Sequence, residues 1–172
     1  MVVRIGTRSL LFGVHQVLLH PAFVALAWRR LYGRWPDWRT SVAILIHDWG
    51  YWGKPNMDGP EGESHVEWAA HVMGRLFGPE WHDLCLYHSR FRALQDGRLP
   101  SRLCAADKYS GAITPPWLYL PLAWLSGELR EYMALAARGK YDEAGLSSTS
   151  ALAWYRGFRC YMERWGPGGP GA

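Results

Sequence analysis

The 172-residue chain has only three cysteines, Cys85, Cys104 and Cys160, set far apart and without a CxxC pair. An odd, scattered set excludes a disulfide framework and a four-thiolate zinc site, and makes a reducing cytoplasm the expected compartment. Long apolar runs are also missing. The longest, Ile113 to Leu125, contains Thr114 and three prolines and is too short and broken to span a bilayer. Arg4 and Arg8 precede a brief apolar stretch, Leu10 to Val14, that His15 and Gln16 interrupt without a credible cleavage site, so no signal peptide is expected. There is no Walker-type glycine loop, no GxSxG elbow and no Cys-His arrangement. Sustained period-two alternation is absent, which argues against a sheet. Charge of one sign is weak. A net +4 and a pI near 9.1 suit an anionic substrate without identifying nucleic acid.

Against these absences stand apolar bulk and a helical period. With 49% hydrophobic and 20% charged residues the chain can bury a core, and its length suits one domain. The expectation is an all-α domain over residues 1–165 and a flexible tail, GPGGPGA, over 166–172. About seven helices fit the pattern. A first helical region spans Ser9 to Tyr32 with a break at the His20-Pro21 step. Asp37 caps a second helix reaching Trp49, and Gly50 to Gly62 forms a loop. A third helix starts near Glu63 and stops at Gly78, a fourth covers Glu80 to Leu94, and Ser101 caps a fifth that carries Asp107. Pro115, Pro116 and Pro121 disrupt the next stretch, before helices over Gly127 to Arg138 and Ser148 to Trp165. On the former, Glu128, Arg130 and Glu131 are expected in solvent. Eleven tryptophans and nine tyrosines imply thick aromatic packing or an apolar association surface. The segment TPPWLYLPLAWL therefore reads as a cavity wall or as a contact in a homo-oligomer.

All seven histidines fall between positions 15 and 88, and helix-face arithmetic separates them. His65 shares a face with Ala69, Val72 and Leu76 and points inward, whereas His71 lies with Glu67 and Arg75 on a solvated face. His88 stacks over Leu84 and Trp81 and points inward; His82 falls on another side. Asp107 lies over Leu103 and Cys104. His47 and Asp48 end the run VAILIHDWG, which puts an imidazole beside a carboxylate at the end of a buried helix. An ionised carboxylate on an apolar stripe is costly unless it is paired or bound to a cation. Singly, each histidine reads as a hydrogen-bonded core residue and each aspartate as a cap. Jointly, His47, Asp48, His65, His88 and Asp107 would each need a separate partner, and a shared metal removes that difficulty. Imidazole and carboxylate donors without thiolate suit iron, manganese, magnesium or nickel, with zinc less distinctive.

This ordered series resembles the HD-domain superfamily of metal-dependent phosphohydrolases. His47-Asp48 in ILIHDWGYWGK looks like the family's adjacent His-Asp pair. His65 in GESHVEWAAHVMG opens the next helix, His88 in LYHSRF follows, and Asp107 in LCAADKYS comes late. The likeness covers residues 15 to 110 and implies an all-α bundle around a central metal site. The family's first histidine corresponds to His20 in HPAFVALAW, the preferred choice, or to His15 among Leu11, Phe12, Leu18 and Leu19. His65 and His88 would mark the binuclear subset, in which the Asp48 carboxylate bridges two divalent ions, iron or manganese before magnesium, nickel or zinc. Lys54, beyond a Tyr-Trp insertion after the pair, Arg90 beside His88 and Lys108 beside Asp107 are the candidate catalytic cations for a phosphate. The loop GKPNMDGPEGE, with Asp58, Glu61 and Glu63, reads as a substrate lid or a plain connector. The resemblance implies hydrolysis of a nucleotide or other small phosphate ester by a metal-activated water. Some six-ligand members instead use an iron pair to cleave a C–C or C–P bond oxidatively, and a degenerate site would leave a non-catalytic metal-binding or interaction protein. No nucleic-acid or membrane partner is indicated.

Overall fold

Caps and glycines cut the helical pattern into more pieces than the sequence suggests. The computed structural model describes residues 4–140, 145–146 and 149–169. Among them are eleven α-helices and one 3-10 turn, with no strand, where about seven helices were expected. They are α1 (Ile5–Phe12), α2 (Leu19–Tyr32), α3 (Trp38–Ile46), the 3-10 turn (Trp49–Tyr51), α4 (Pro60–Glu63), α5 (Val66–Phe77) and α6 (Pro79–Leu86). There follow α7 (Arg90–Gln95), α8 (Arg102–Ile113), α9 (Pro116–Ser126), α10 (Glu128–Ala137) and α11 (Ala151–Glu163). No helix of the described residues is long and apolar enough to cross a membrane.

The differences have local causes. The break expected at His20-Pro21 falls earlier, between α1 and α2. Pro21 sits in the first turn of α2, where a missing N–H loses no partner. Gln16 Oε1 caps that turn, accepting from the Leu18 and Leu19 N–H groups at 2.9 and 2.7 Å. The helix expected over Glu80 to Leu94 splits because the Ser89 hydroxyl accepts from Arg92 N–H and starts α7 afresh. The proline-rich stretch is itself a helix. Pro115 and Pro116 occupy the start of α9, and Pro121 lies on an exposed face with Trp117. On α10, Glu128 is fully buried, and Glu131 is half-buried and accepts from the Met57 and Asp58 N–H groups; only Arg130 of the three faces solvent. Ser150 caps α11, so the expected start at Ser148 is displaced; Ser148 lies outside the described residues. Of the expected tail, Gly166 packs against Tyr109 and the Gly169 N–H bonds back to the Gly166 carbonyl, while 170–172 lie outside the described residues.

Two large apolar clusters organise the described residues, with a small third formed by Cys104, Ala105 and Trp165. The first joins Val24, Ala27 and Trp28 of α2 to Ala43 and Ile44 of α3, the α5–α6 pair and Leu103 and Ala106 of α8. On α5, Val66, Ala69, Ala70 and Met73 recur at helical spacing and are all fully buried, so Met73→Ala should cost about 2–5 kcal/mol. The second cluster is largely aromatic: Tyr51, Tyr119, Tyr132, Trp154 and Tyr155, with Leu10 and Met57. His20, His47, Asp48, His65, His88 and Asp107 gather at the seam between the two.

Candidate metal centre

Each ligand candidate is delivered by the end or interior of a short helix. His20 lies in the first turn of α2, one turn before Val24. His47 is the C-cap of α3, and Asp48 begins the 3-10 turn that follows. His65 precedes α5, His88 sits between α6 and α7, and Asp107 lies on α8. Gly50 makes this arrangement possible. A Cβ there would come within 1.8 Å of the His65 carbonyl oxygen, so only glycine lets the 3-10 turn seat against the backbone that carries His65. Tyr51 then stacks on the His65 ring at 3.9 Å between centroids and 10° between planes.

Three imidazoles are oriented by the same local device. Nδ1–H of His47 donates to the Ile44 carbonyl at 2.7 Å, that of His65 to Gly62 at 2.7 Å, and that of His88 to Cys85 at 2.5 Å, each three residues upstream. A carbonyl only accepts, so Nδ1 carries a proton, which leaves Nε2 as the atom through which each ring would bind a cation. Those nitrogens converge. His20 Nε2 is 3.3 Å from His47 Nε2, and His65 Nε2 is 3.0 Å from His88 Nε2. Asp48 Oδ2 stands 3.1 Å from His20 and 3.2 Å from His47, while its Oδ1 stands 3.7 Å from His65 and 3.6 Å from His88. Asp107 Oδ1 is 3.1 Å from His20 Nε2 and 3.8 Å from His47 Nε2. The result is two nests, His20–His47–Asp48–Asp107 and Asp48–His65–His88, joined by the two oxygens of one carboxylate.

Acceptor atoms facing one another in a dry interior repel unless positive charge lies between them. In the metal-free protein a proton supplies part of it. Burial pulls the His20 pKa down, but Asp107 and Asp48 outweigh this and push it up to about 10. Burial works against ionised Asp48 too, yet the neighbouring imidazoles hold it well below the usual carboxylate range. Burial and the adjacent His88 keep His65 well below the ordinary histidine value, so it stays neutral. Asp48 Oδ2 is buried without a hydrogen bond although two imidazole nitrogens lie close, so its lone pairs aim between the rings.

The spacing fits cations. Ligand atoms each about 2.1 Å from one ion stand roughly 3.0 Å apart at a right angle and about 3.4 Å apart in a tetrahedron. The separations within each nest scatter around those edge lengths, and the donors are all nitrogen and oxygen. Burial pushes the Cys85 and Cys104 thiols up to about 12, so neither offers a thiolate near neutral pH. The residues present can hold metal ions.

The centre opens into a cavity of about 400 Å³ along the seam. Arg90 lies at its exposed rim, donating to the Tyr161 hydroxyl at 2.7 Å. Lys108 lines it with its ammonium 3.8 Å from Asp107 Oδ2; burial lowers its pKa, Asp107 raises it, and the net shift is upward. Lys54 stands apart, off the cavity wall, donating to the Ser64 hydroxyl at 2.6 Å. Asp58 and Glu63 line the cavity, whereas Glu61 is tied to Asn56 at the surface. His71 is exposed and His82 half-exposed beside Asp83, both away from the nests.

His15 belongs to neither nest. It lines the cavity beside His20, with Nδ1 3.0 Å from the Ser9 hydroxyl and 3.6 Å from Glu128 Oε1. Burial lowers its pKa, but the Glu128 carboxylate outweighs this and the net shift is upward. Sequence reasoning missed Glu128, because the GELREYMALAARG pattern assigns it to a polar face. The only local hint was Ser126-Gly127 ahead of it, which turns the start of α10 inward. No protein-family model matches the chain, and no curated protein or solved structure matches it either.

Proposed function

We propose that the chain is an HD-type phosphohydrolase with two divalent ions sharing Asp48. The observation that carries this reading is the division of that carboxylate, one oxygen toward each histidine nest, with Asp107 completing the first. Ions held there would supply Lewis-acid charge to the phosphoryl oxygens and lower the pKa of water, which is what phosphate-ester hydrolysis requires. The reaction converts R–O–phosphate and water into an alcohol and inorganic phosphate. The chain's own part is to orient and to balance charge. Lys108 offsets the acidic cluster from inside the cavity, and Arg90 at the rim attracts an incoming dianion. Tyr51 and Gly50 hold His65 in plane, and the apolar walls restrict bulk water.

The test is phosphate release from p-nitrophenyl phosphate and a nucleotide panel, with manganese- or iron-loaded protein, in air and under nitrogen. Turnover with manganese that is indifferent to oxygen is expected. Turnover that demands iron and consumes oxygen overturns hydrolysis in favour of oxidative cleavage. Native protein without bound metal that does not take it up overturns the centre itself.

A further inference from the structure

Past the ligands the cavity continues into an aromatic chamber that hydrolysis of a bare phosphate does not need. One face of α8 floors it: Asp107, Ser110, Gly111 and Thr114 recur at helical spacing, about 10 Å end to end at 1.5 Å per residue. Small side chains keep that floor low. A glycine inside a helix is unfavourable relative to alanine, and here an added Cβ would meet Phe158 Cζ at 2.8 Å. The opposite walls are Tyr119, Tyr132, Trp154 and Phe158 from α9, α10 and α11. They brace one another: Tyr132 stacks on Trp154 at 5.5 Å and 6°, and Trp154 on Phe158 at 5.0 Å and 14°. These four side chains carry no charge, while Asp58, Glu63, Lys108 and Lys140 line the same cavity.

We infer that the substrate is an amphiphile, a phosphate monoester whose head meets the cluster and whose uncharged apolar tail fills the chamber. The head rests on the hydrolase reading; the tail rests on the chamber alone. At roughly 30 Å³ per water-sized group, the cavity of about 400 Å³ takes about 13 such groups, of which a phosphate uses about five. A tail of about eight carbons remains. Ser110, Thr114, Lys140 and the Tyr119 and Tyr132 hydroxyls also line this cavity, so adenosine monophosphate is the polar comparison that the chain-length series must beat.

The experiment is a chain-length series. Methyl, butyl, hexyl, octyl and dodecyl phosphate and adenosine 5′-monophosphate are assayed for phosphate release, and the matching alkylphosphonates, which resist hydrolysis, are titrated calorimetrically. Phosphonate affinity and ester kcat/KM should both climb about threefold to fourfold per methylene and stop climbing near about eight carbons. Gly111→Ala, by driving Phe158 into the chamber, should move the optimum to shorter tails. A profile flat with chain length, or adenosine monophosphate matching octyl phosphate, overturns the inference. Rising phosphonate affinity with no phosphate released from any ester sustains the chamber and sinks the hydrolase reading. Turnover of methyl phosphate and adenosine monophosphate alongside flat phosphonate affinity does the reverse.

Discussion

Asp48→Asn separates metal binding from folding more cleanly than any other single change. The substitution keeps the shape of the side chain and removes its charge. In the metal-free protein His20 still has Asp107 at 3.1 Å, and the amide faces His65 and His88 from 3.7 and 3.6 Å, where it bears no charge to be balanced. Losing one charged partner should therefore cost no more than about 3 kcal/mol, and the fold survives. With metal present the accounting differs. An ion at a hundred times its Kd stabilises by about 2.7 kcal/mol, and a domain of this size gains about 2–4 °C per kcal/mol, so saturating manganese should raise the wild-type Tm by roughly 5–10 °C per site. The variant should show almost none of that rise, because both nests lose their shared oxygen. Calorimetry with and without manganese, together with elemental analysis of the dialysed protein, reads both quantities. A variant that keeps wild-type metal content and the wild-type Tm rise would refute the centre.

The remaining expectations are simpler. Metal uptake should expel the His20 proton. Its pKa near 10 in the metal-free fold lies above the unfolded value, so the stability it contributes is complete below about 6.5 and disappears as pH rises through 10. Metal affinity should accordingly climb about tenfold per pH unit from about 7 to 10, with about one proton released, measurable by calorimetry in buffers of different ionisation enthalpy. Gly50→Ala should destabilise the fold by about 2 kcal/mol or more and lower metal content, since the turn must leave the His65 backbone; unchanged content would disconnect Gly50 from the site. Glu128→Gln should bring the His15 pKa down, and an NMR titration with no movement would sever that pair. His71→Ala and His82→Ala should change stability by less than about 0.5 kcal/mol and leave metal content alone.

The sequence carried the buried His/Asp cluster more legibly than the helix boundaries. His65, His88 and Asp107 could be sorted by face because helix period survives errors in helix ends, and His47 came with Asp48 at the end of an apolar run. The face drawn for His65 held at Ala69, which is buried, and failed at Leu76, which is 62% exposed; Val66, Ala70 and Met73 complete the buried stripe. Between His20 and His15 the choice needed tertiary contacts, since both sit on apolar stretches and only the packing of α2 on α8 brings His20 to Asp107. Helix number was illegible where a single hydroxyl decides a restart, as at Ser89, and where proline falls at a helix start, as at Pro116. Buried Glu128 and the detached Lys54 were illegible for another reason. Their environments are made by residues more than a hundred positions away in the first case and by the Ser64 hydroxyl in the second.

The hydrogen bonds from His47, His65 and His88 to carbonyls three residues back have a consequence for assembly. Each bond closes within a single turn of chain, so local structure already sets the tautomer and biases the ring plane, to which Tyr51 adds its stack on His65. The rings thus arrive at the seam largely oriented, and their mutual approach depends on the tertiary fold. Metal uptake can then follow folding as a separate event, with a proton lost from His20 and little movement of the chain.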